Sequence, residues 1–291
     1  MPYTALLSAL SSLPLDGYTS DQREALGTLY EYIEEPSPYA LFLLTGYAGT
    51  GKTFLLRTIA DLAQRAGLRV ELMASTGRAA KVLSASTGRP ASTIHRTIYR
   101  ASTQMQEEGG SFQLGRVSTT TPTLFIVDEA SMISGDTGEM TPFGSGNLLD
   151  DLLSYVWSAD EAKLIFVGDT AQLPPVGTPL SDALNAEVLT SRYGLHVYGM
   201  ELREVVRQKC GGILHNATQL RELLDEYADE DPEEILPIHL ETEGWRGIFP
   251  VEGGTFIETL DEAYRKYGEE ECLVICPSNK LALECLSLIH I

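Results

Sequence analysis

The stretch LFLLTGYAGTGKTFLL, residues 41–56, constrains the chain more than any other. Leu41 to Leu44 reads as a buried parallel strand and Phe54 to Ala63 as an amphipathic helix, with a glycine-rich turn between them. The spacing Gly46-x-x-x-x-Gly51-Lys52-Thr53 fits a phosphate-binding loop, in which backbone N–H groups and a helix N-terminus surround a polyphosphate. Glycine is needed where a Cβ would block that approach. Gly46, Ala48, Gly49, Thr50, Gly51, Lys52 and Thr53 are therefore the expected nucleotide cradle. Lys52 is expected to reach the β- and γ-phosphates of ATP, and the Thr53 hydroxyl to ligate Mg²⁺.

Such a loop serves kinases, motors, GTPases and transporters alike, so the rest of the chain must narrow the choice. At 291 residues and 43% apolar content, one large or two modest domains with a buried core are expected. No apolar run approaches the ~20 residues of a membrane span, and ALLSALSSL near the N-terminus lacks a positive flank. A soluble, cytoplasmic protein without a membrane partner is the expectation. Cys210, Cys272, Cys276 and Cys285 lack zinc-site spacing and read as buried free thiols, two of them on one face of a strand in CLVIC.

The formal charge of −20 is unevenly distributed. Residues 221–271 hold 17 acidic and 4 basic residues, whereas residues 52–116 hold 10 basic and 4 acidic. A basic face for nucleic acid is thus compatible with an acidic protein, and scattered surface arginines are equally compatible.

Apolar β-rich runs recur along the chain as ALFLLT, RVELMAS, TLFIVDE, KLIFVGD, LHVYGMEL and ECLVICPS. Helical patterns separate them, at Ser20–Glu34 with Ser20 as N-cap, Arg78–Ser86, Leu148–Trp157 and Ile213–Tyr227. The alternation predicts an α/β fold with a mainly parallel sheet flanked by helices. Residues 100–121 read as a small hairpin insertion, and the acidic, proline-interrupted stretch 231–270 as a boundary region.

TLFIVDE ends in two carboxylates, the expected companions of a phosphate loop: Asp128 to hold Mg²⁺ and Glu129 to orient or deprotonate the attacking water. KLIFVGDTAQLPPVG closes on a loop with Asp169, Gln172 and two prolines. The Gln172 amide can bond both water and a phosphate oxygen, while an ordinary stiff turn remains an equal alternative.

GYAGTGKT, ASTGRAAKVL, STIHRTIY, IVDEASM, FVGDTAQLPPVG and LREVVRQ, in this order, resemble the superfamily-one DNA helicases of the RecD and phage Dda type. The resemblance covers roughly residues 15–210, and the tail from Cys272 resembles the opening strand of that family's second RecA-like domain. It implies a RecA-like P-loop ATPase domain over 1–230 and the start of a second over 271–291. By the same resemblance Gln22 reads adenine, Thr76 and Arg78 grip the DNA backbone, and His95 lies near the strand. Pro174 and Pro175 match a motif that couples nucleotide state to DNA, and Arg207 matches an arginine that reaches the γ-phosphate. The insertion corresponds to a duplex-splitting hairpin, in which Phe112 is either a base-contacting wedge or an anchor to the main domain.

The implied activity is ATP-driven, 5′-to-3′ movement on single-stranded DNA in repair, recombination or replication, by a monomer that meets other proteins of those processes. The chain stops at Ile291, where the family continues through most of its second domain, so weak nucleotide binding and little motor activity are expected of it alone. Two other readings stay open. One is the motor subunit of a RecD-like exonuclease complex, and the other a nucleotide-gated nucleic-acid-binding module.

Overall fold

The computed structural model describes residues 2–101, 112–133, 135, 143–175, 180–206, 211–227, 238–245 and 247–289. The chain divides into two compact units, 1–209 and 210–291. The helix over 212–226 falls within the second unit.

In the first unit the strands are β1 (Ala40–Gly46), β2 (Arg69–Ala74), β3 (Ala91–Thr93), β4 (Tyr99–Ala101), β5 (Phe112–Leu114), β6 (Thr123–Asp128), β7 (Ala162–Gly168) and β8 (His196–Leu202). Six of them form one all-parallel sheet in the order β3-β2-β6-β7-β1-β8. The helices are α1 (Thr4–Ser11), α2 (Ser20–Glu34), α3 (Lys52–Arg65), α4 (Gly77–Thr87), α5 (Ile94–Ile98), α6 (Leu148–Val156) and α7 (Ala186–Ser191). This is the expected RecA-like α/β fold.

Helices on both faces explain why the strands read as unbroken apolar runs. Phe42 and Leu44 of β1 pack with α1 to α4, and Leu41 and Leu43 pack with α5, α6 and α7 on the other face. Each such side chain contributes about 1.5–3 kcal/mol by leaving water. Tyr32 locks α2 to the sheet: its hydroxyl donates to the Leu164 carbonyl at 2.8 Å and accepts the Leu164 N–H at 2.6 Å.

Helix ends differ from expectation by local bonding. Thr19, not Ser20, is the N-cap of α2, because Thr19 and Gln22 exchange side-chain-to-backbone bonds in a capping box. α3 begins two residues before Phe54, at Lys52, since Gly51 adopts the left-handed conformation that lets the chain turn straight from loop to helix. The hairpin insertion is present as the antiparallel β4–β5 pair, and its tip, 102–111, lies outside the described residues.

The second unit contains α8 (Gly212–Glu226), α9 (Phe256–Tyr267) and α10 (Asn279–Ile289). The expected strand ECLVICPS is not a strand: Cys272 to Cys276 carries no regular secondary structure, and Leu273 and Ile275 are 67% and 86% exposed. A strand needs a ladder partner, and none of this unit's described residues is in one. For the same reason the three described cysteines are half-buried free thiols, not buried ones, with Cys276 and Cys285 sulfurs 3.9 Å apart. Of the boundary region 231–270, residues 231–237 and 246 lie outside the described residues, as does Cys210.

Candidate active site

Because every strand of the main sheet runs the same way, the loops after β1, β2, β6 and β7 all emerge at one edge, where ligands of such sheets bind. The chain runs from β1 outward to β2 and β3, then returns through β6 and β7, which places β7 between the glycine loop and the acidic end of β6.

The loop after β1 is shaped for close approach of a ligand to backbone. A Cβ on Gly46, at φ +153°, would lie 2.6 Å from the Leu202 carbonyl oxygen. A Cβ on Gly51, at φ +92°, would run into the Gln22 amide. Thr50 folds back through its hydroxyl onto the Tyr47 carbonyl at 2.8 Å. Lys52 Nζ donates to the carbonyls of Gly46 at 2.5 Å and Tyr47 at 3.0 Å. Burial lowers its pKa, and the charges of Asp169, Glu129 and Asp128 oppose that shift. Thr53 is half-buried in the first turn of α3. A loop with no room for a Cβ at Gly46 or Gly51, a left-handed helix cap and a half-buried ammonium together fit a polyphosphate.

Asp128 ends β6, and burial, reinforced by the neighbouring Glu129 charge, pushes its pKa up to about 6. The Glu129 N–H donates to Asp128 Oδ1 at 3.0 Å, and Lys52 supplies opposing positive charge. Glu129 itself stands at φ 55°, ψ 43°, the one non-glycine residue with positive φ among those described. That conformation costs on the order of 1–3 kcal/mol and persists where surrounding structure enforces it, typically at functional positions. Part of the enforcement is visible: the buried Ser181 hydroxyl contacts the carbonyl oxygens of Ala130 at 3.0 Å and Ile133 at 2.8 Å, bracing the turn that follows. The Ser131 hydroxyl reaches Gln172 Oε1 at 3.4 Å, so the loop after β7 meets that same turn. Asp169 is buried and accepts the Ala171 N–H at 3.0 Å, which shapes the loop carrying Gln172.

Lys52, Asp128, Glu129 and Gln172 are thus brought to one edge. Gln22, expected at the adenine, is buried against the phosphate loop. It is 2% exposed, its amide donates to the Thr50 carbonyl at 3.0 Å, and its oxygen accepts the Thr19 N–H at 3.2 Å. Only the fold brings α2 against the loop, so local sequence gave no sign of this.

The residues expected to meet DNA are more dispersed. Thr76 caps α4, accepting the Ala79 N–H at 3.2 Å, and Arg78 is exposed in the same first turn. His95 is half-buried, its pKa lowered by burial, with ring contacts to Tyr99 at 5.7 Å and Phe143 at 5.1 Å. Phe112 stacks on Phe143 at 4.8 Å, and its carbonyl accepts the Gly144 N–H at 2.9 Å, the geometry of an anchor. Pro174 and Pro175 are half-buried beside an 88% exposed Leu173. Arg207 lies outside the described residues. Sequence reasoning passed over Phe143 and Asp151, which accepts the Tyr99 hydroxyl at 2.7 Å; neither sits in a motif. Of the basic residues in 52–116, Arg69 pairs with Glu71 and Arg89 with Asp61, so the basic face is narrower than the charge count implied.

Residues 17–241 match the family described as AAA domain. The chain is 33% identical to the ATP-dependent RecD2 DNA helicase of Deinococcus radiodurans over 214 residues, 71% of this chain and 27% of that protein. It is 30% identical to the ATP-dependent DNA helicase dda of Enterobacteria phage T4 over 213 residues, 72% of this chain and 44% of that protein. The chain thus spans less than half the length of either relative, both of the type its motifs resemble. With a family match across well over half its length and the phosphate loop and acid pair at one sheet edge, the chain belongs to the AAA domain family.

Proposed function

We propose that this chain carries the ATP-hydrolysing domain of a DNA helicase that moves on single-stranded DNA. The observation that carries the reading is the convergence of Lys52, Asp128, Glu129 and Gln172 on the edge to which the glycine loop opens. Thr53 and Asp128 are the residues to hold Mg²⁺, which when bound neutralises charge on the phosphate oxygens. Lys52 exchanges its loop carbonyls for phosphate oxygens. Glu129, held in its strained conformation, takes a proton from the attacking water. Gln172, tied to the same turn through Ser131, passes the state of the site to the loop of Pro174 and Pro175. Arg207 completes the charge at the γ-phosphate, and Gln22 reaches adenine only by giving up a loop bond.

For the DNA backbone, Arg78 and Thr76 are joined by Lys81 and Arg96, which are exposed and have no ion pair among the described residues. A basic track of this kind binds phosphates without reading sequence, and its grip weakens with salt. Movement from 5′ to 3′, in the cytoplasm and in company with repair or replication proteins, is the reading that the RecD resemblance supports.

The test is ATP hydrolysis by this chain and by a form continued through a second RecA-like domain, each with and without single-stranded DNA. DNA-stimulated turnover in the continued form, abolished by Glu129→Gln with ATP binding retained, is the expected result. No DNA response in either form would favour a nucleotide-gated binding module.

A further inference from the structure

The edge of the sheet opposite the glycine loop contains a cavity of about 530 Å³ at the starts of β1 and β7. That is the size of small-ligand sites, and its lining is unusual for a structural crevice. Tyr39 and Trp157 form one wall, edge to face at 5.6 Å, and the Trp157 indole is fixed by donating to the Pro38 carbonyl at 2.9 Å. Glu34, Asp160 and Glu161 stand exposed at the rim, and no cation pairs with them among the described residues. Tyr3 is only 7% exposed, yet its hydroxyl has no hydrogen-bond partner. A buried phenol left without a partner is a standing cost to the fold unless something binds to it.

Among the described residues that line the cavity Lys163 is the one cation, and it is already committed. Lys163 donates to the carbonyls of Tyr32 at 3.0 Å and Glu35 at 2.6 Å and lies 4.8 Å from the Tyr32 ring centroid. The accessible wall is therefore anionic and aromatic, the pairing that attracts guanidinium and ammonium groups. An anion would meet three carboxylates, and a neutral apolar ligand would leave the phenol unsatisfied.

We propose that this cavity is a second binding site, for the head of an arginine or lysine side chain presented by a protein partner. The charge selects a cation, and the cavity has room for a long side chain with its flanking backbone. Arginine is also the charged residue most often found as a buried interface anchor. The site lies across the sheet from the nucleotide edge, so a partner docked there leaves access to that edge open.

The experiment follows the ¹H–¹⁵N spectrum of the whole chain on titration with acetyl-Gly-Arg-Gly-amide and with the same peptide carrying neutral citrulline. The expected result is saturable movement of the Trp157 indole signal with the arginine peptide alone, with a Kd of roughly 0.1–10 mM. Tyr3→Phe, which removes only the orphaned hydroxyl, should weaken binding roughly fivefold, the worth of one hydrogen bond. Glu161→Gln should weaken it roughly five- to tenfold, and Glu258→Gln, on α9 in the other unit, should leave it unchanged. Equal shifts with the citrulline peptide, no saturable shift, no effect of Tyr3→Phe, or equal weakening by Glu258→Gln would each overturn the site. Spermidine saturating the Trp157 signal as tightly as the peptide would overturn its assignment to a protein side chain.

Discussion

The side-chain amide of Gln22 lies 3.0 Å from the carbonyl oxygen of Thr50, while its oxygen caps α2 through the N–H of Thr19. One buried side chain thereby joins a helix start to the phosphate loop. Gln22→Ala should cost about 1–2 kcal/mol of stability through lost cap and hydrogen bond, and weaken ADP binding. Gln22→Glu keeps an acceptor for Thr19 but sets a carboxylate against the Thr50 carbonyl, so ADP affinity should fall further than stability. Thermal melts with fluorescent-ADP titrations decide it. Unchanged ADP affinity in both variants would reduce the contact to a cap.

Asp128 is a carboxylate whose charge is opposed by burial and by Glu129. In metal-free buffer at neutral pH, Asp128→Asn should raise stability by about 1–3 kcal/mol, since each pKa unit of upward shift corresponds to about 1.4 kcal/mol of cost to the charged form. Hydrolysis should be lost at the same time. A melting temperature equal to or below that of the parent chain would contradict the assigned strain.

Phe112 and Phe143 are stacked at 4.8 Å, joining the hairpin to the loop before α6. Replacing either by Ala should cost about 1–3 kcal/mol, and a double-mutant cycle should return a coupling of about 0.5–1.5 kcal/mol. As an anchor, Phe112→Ala should lower unwinding and DNA-stimulated ATPase together in the continued form. Loss of unwinding alone would restore the wedge.

Lys163 supplies a pH signature. Burial lowers its pKa to about 8, with the Glu35 charge opposing. Between pH 8 and the ordinary lysine value near 10.4 the unfolded chain keeps a proton that the folded chain has lost, so this residue's contribution to stability rises with pH in that window. Below pH 8 both states are protonated and the buried ammonium is a net cost. Lys163→Met should therefore hold its greatest relative stability at pH 7 and lose much of that advantage by pH 9.5, measured by urea unfolding. A constant difference across the window would show the ammonium to be unperturbed.

What the sequence determined by itself was everything written in short-range code. Gly46 to Thr53 fix a loop because glycine geometry and helix start are decided within eight residues. Unbroken apolar runs fix buried parallel strands, and the acids after β6 announce themselves at a strand end. Tertiary structure alone decided what depends on residues far apart in the chain: that β7 lies between β1 and β6, that Gln22 is buried against the loop, and that Phe143 receives Phe112. It also decided that ECLVIC is no strand in the described chain, since extended backbone becomes a strand only when a neighbour satisfies its hydrogen bonds. Periodicity reports which face a residue prefers to bury. Which partner meets that face is set by how the whole chain packs.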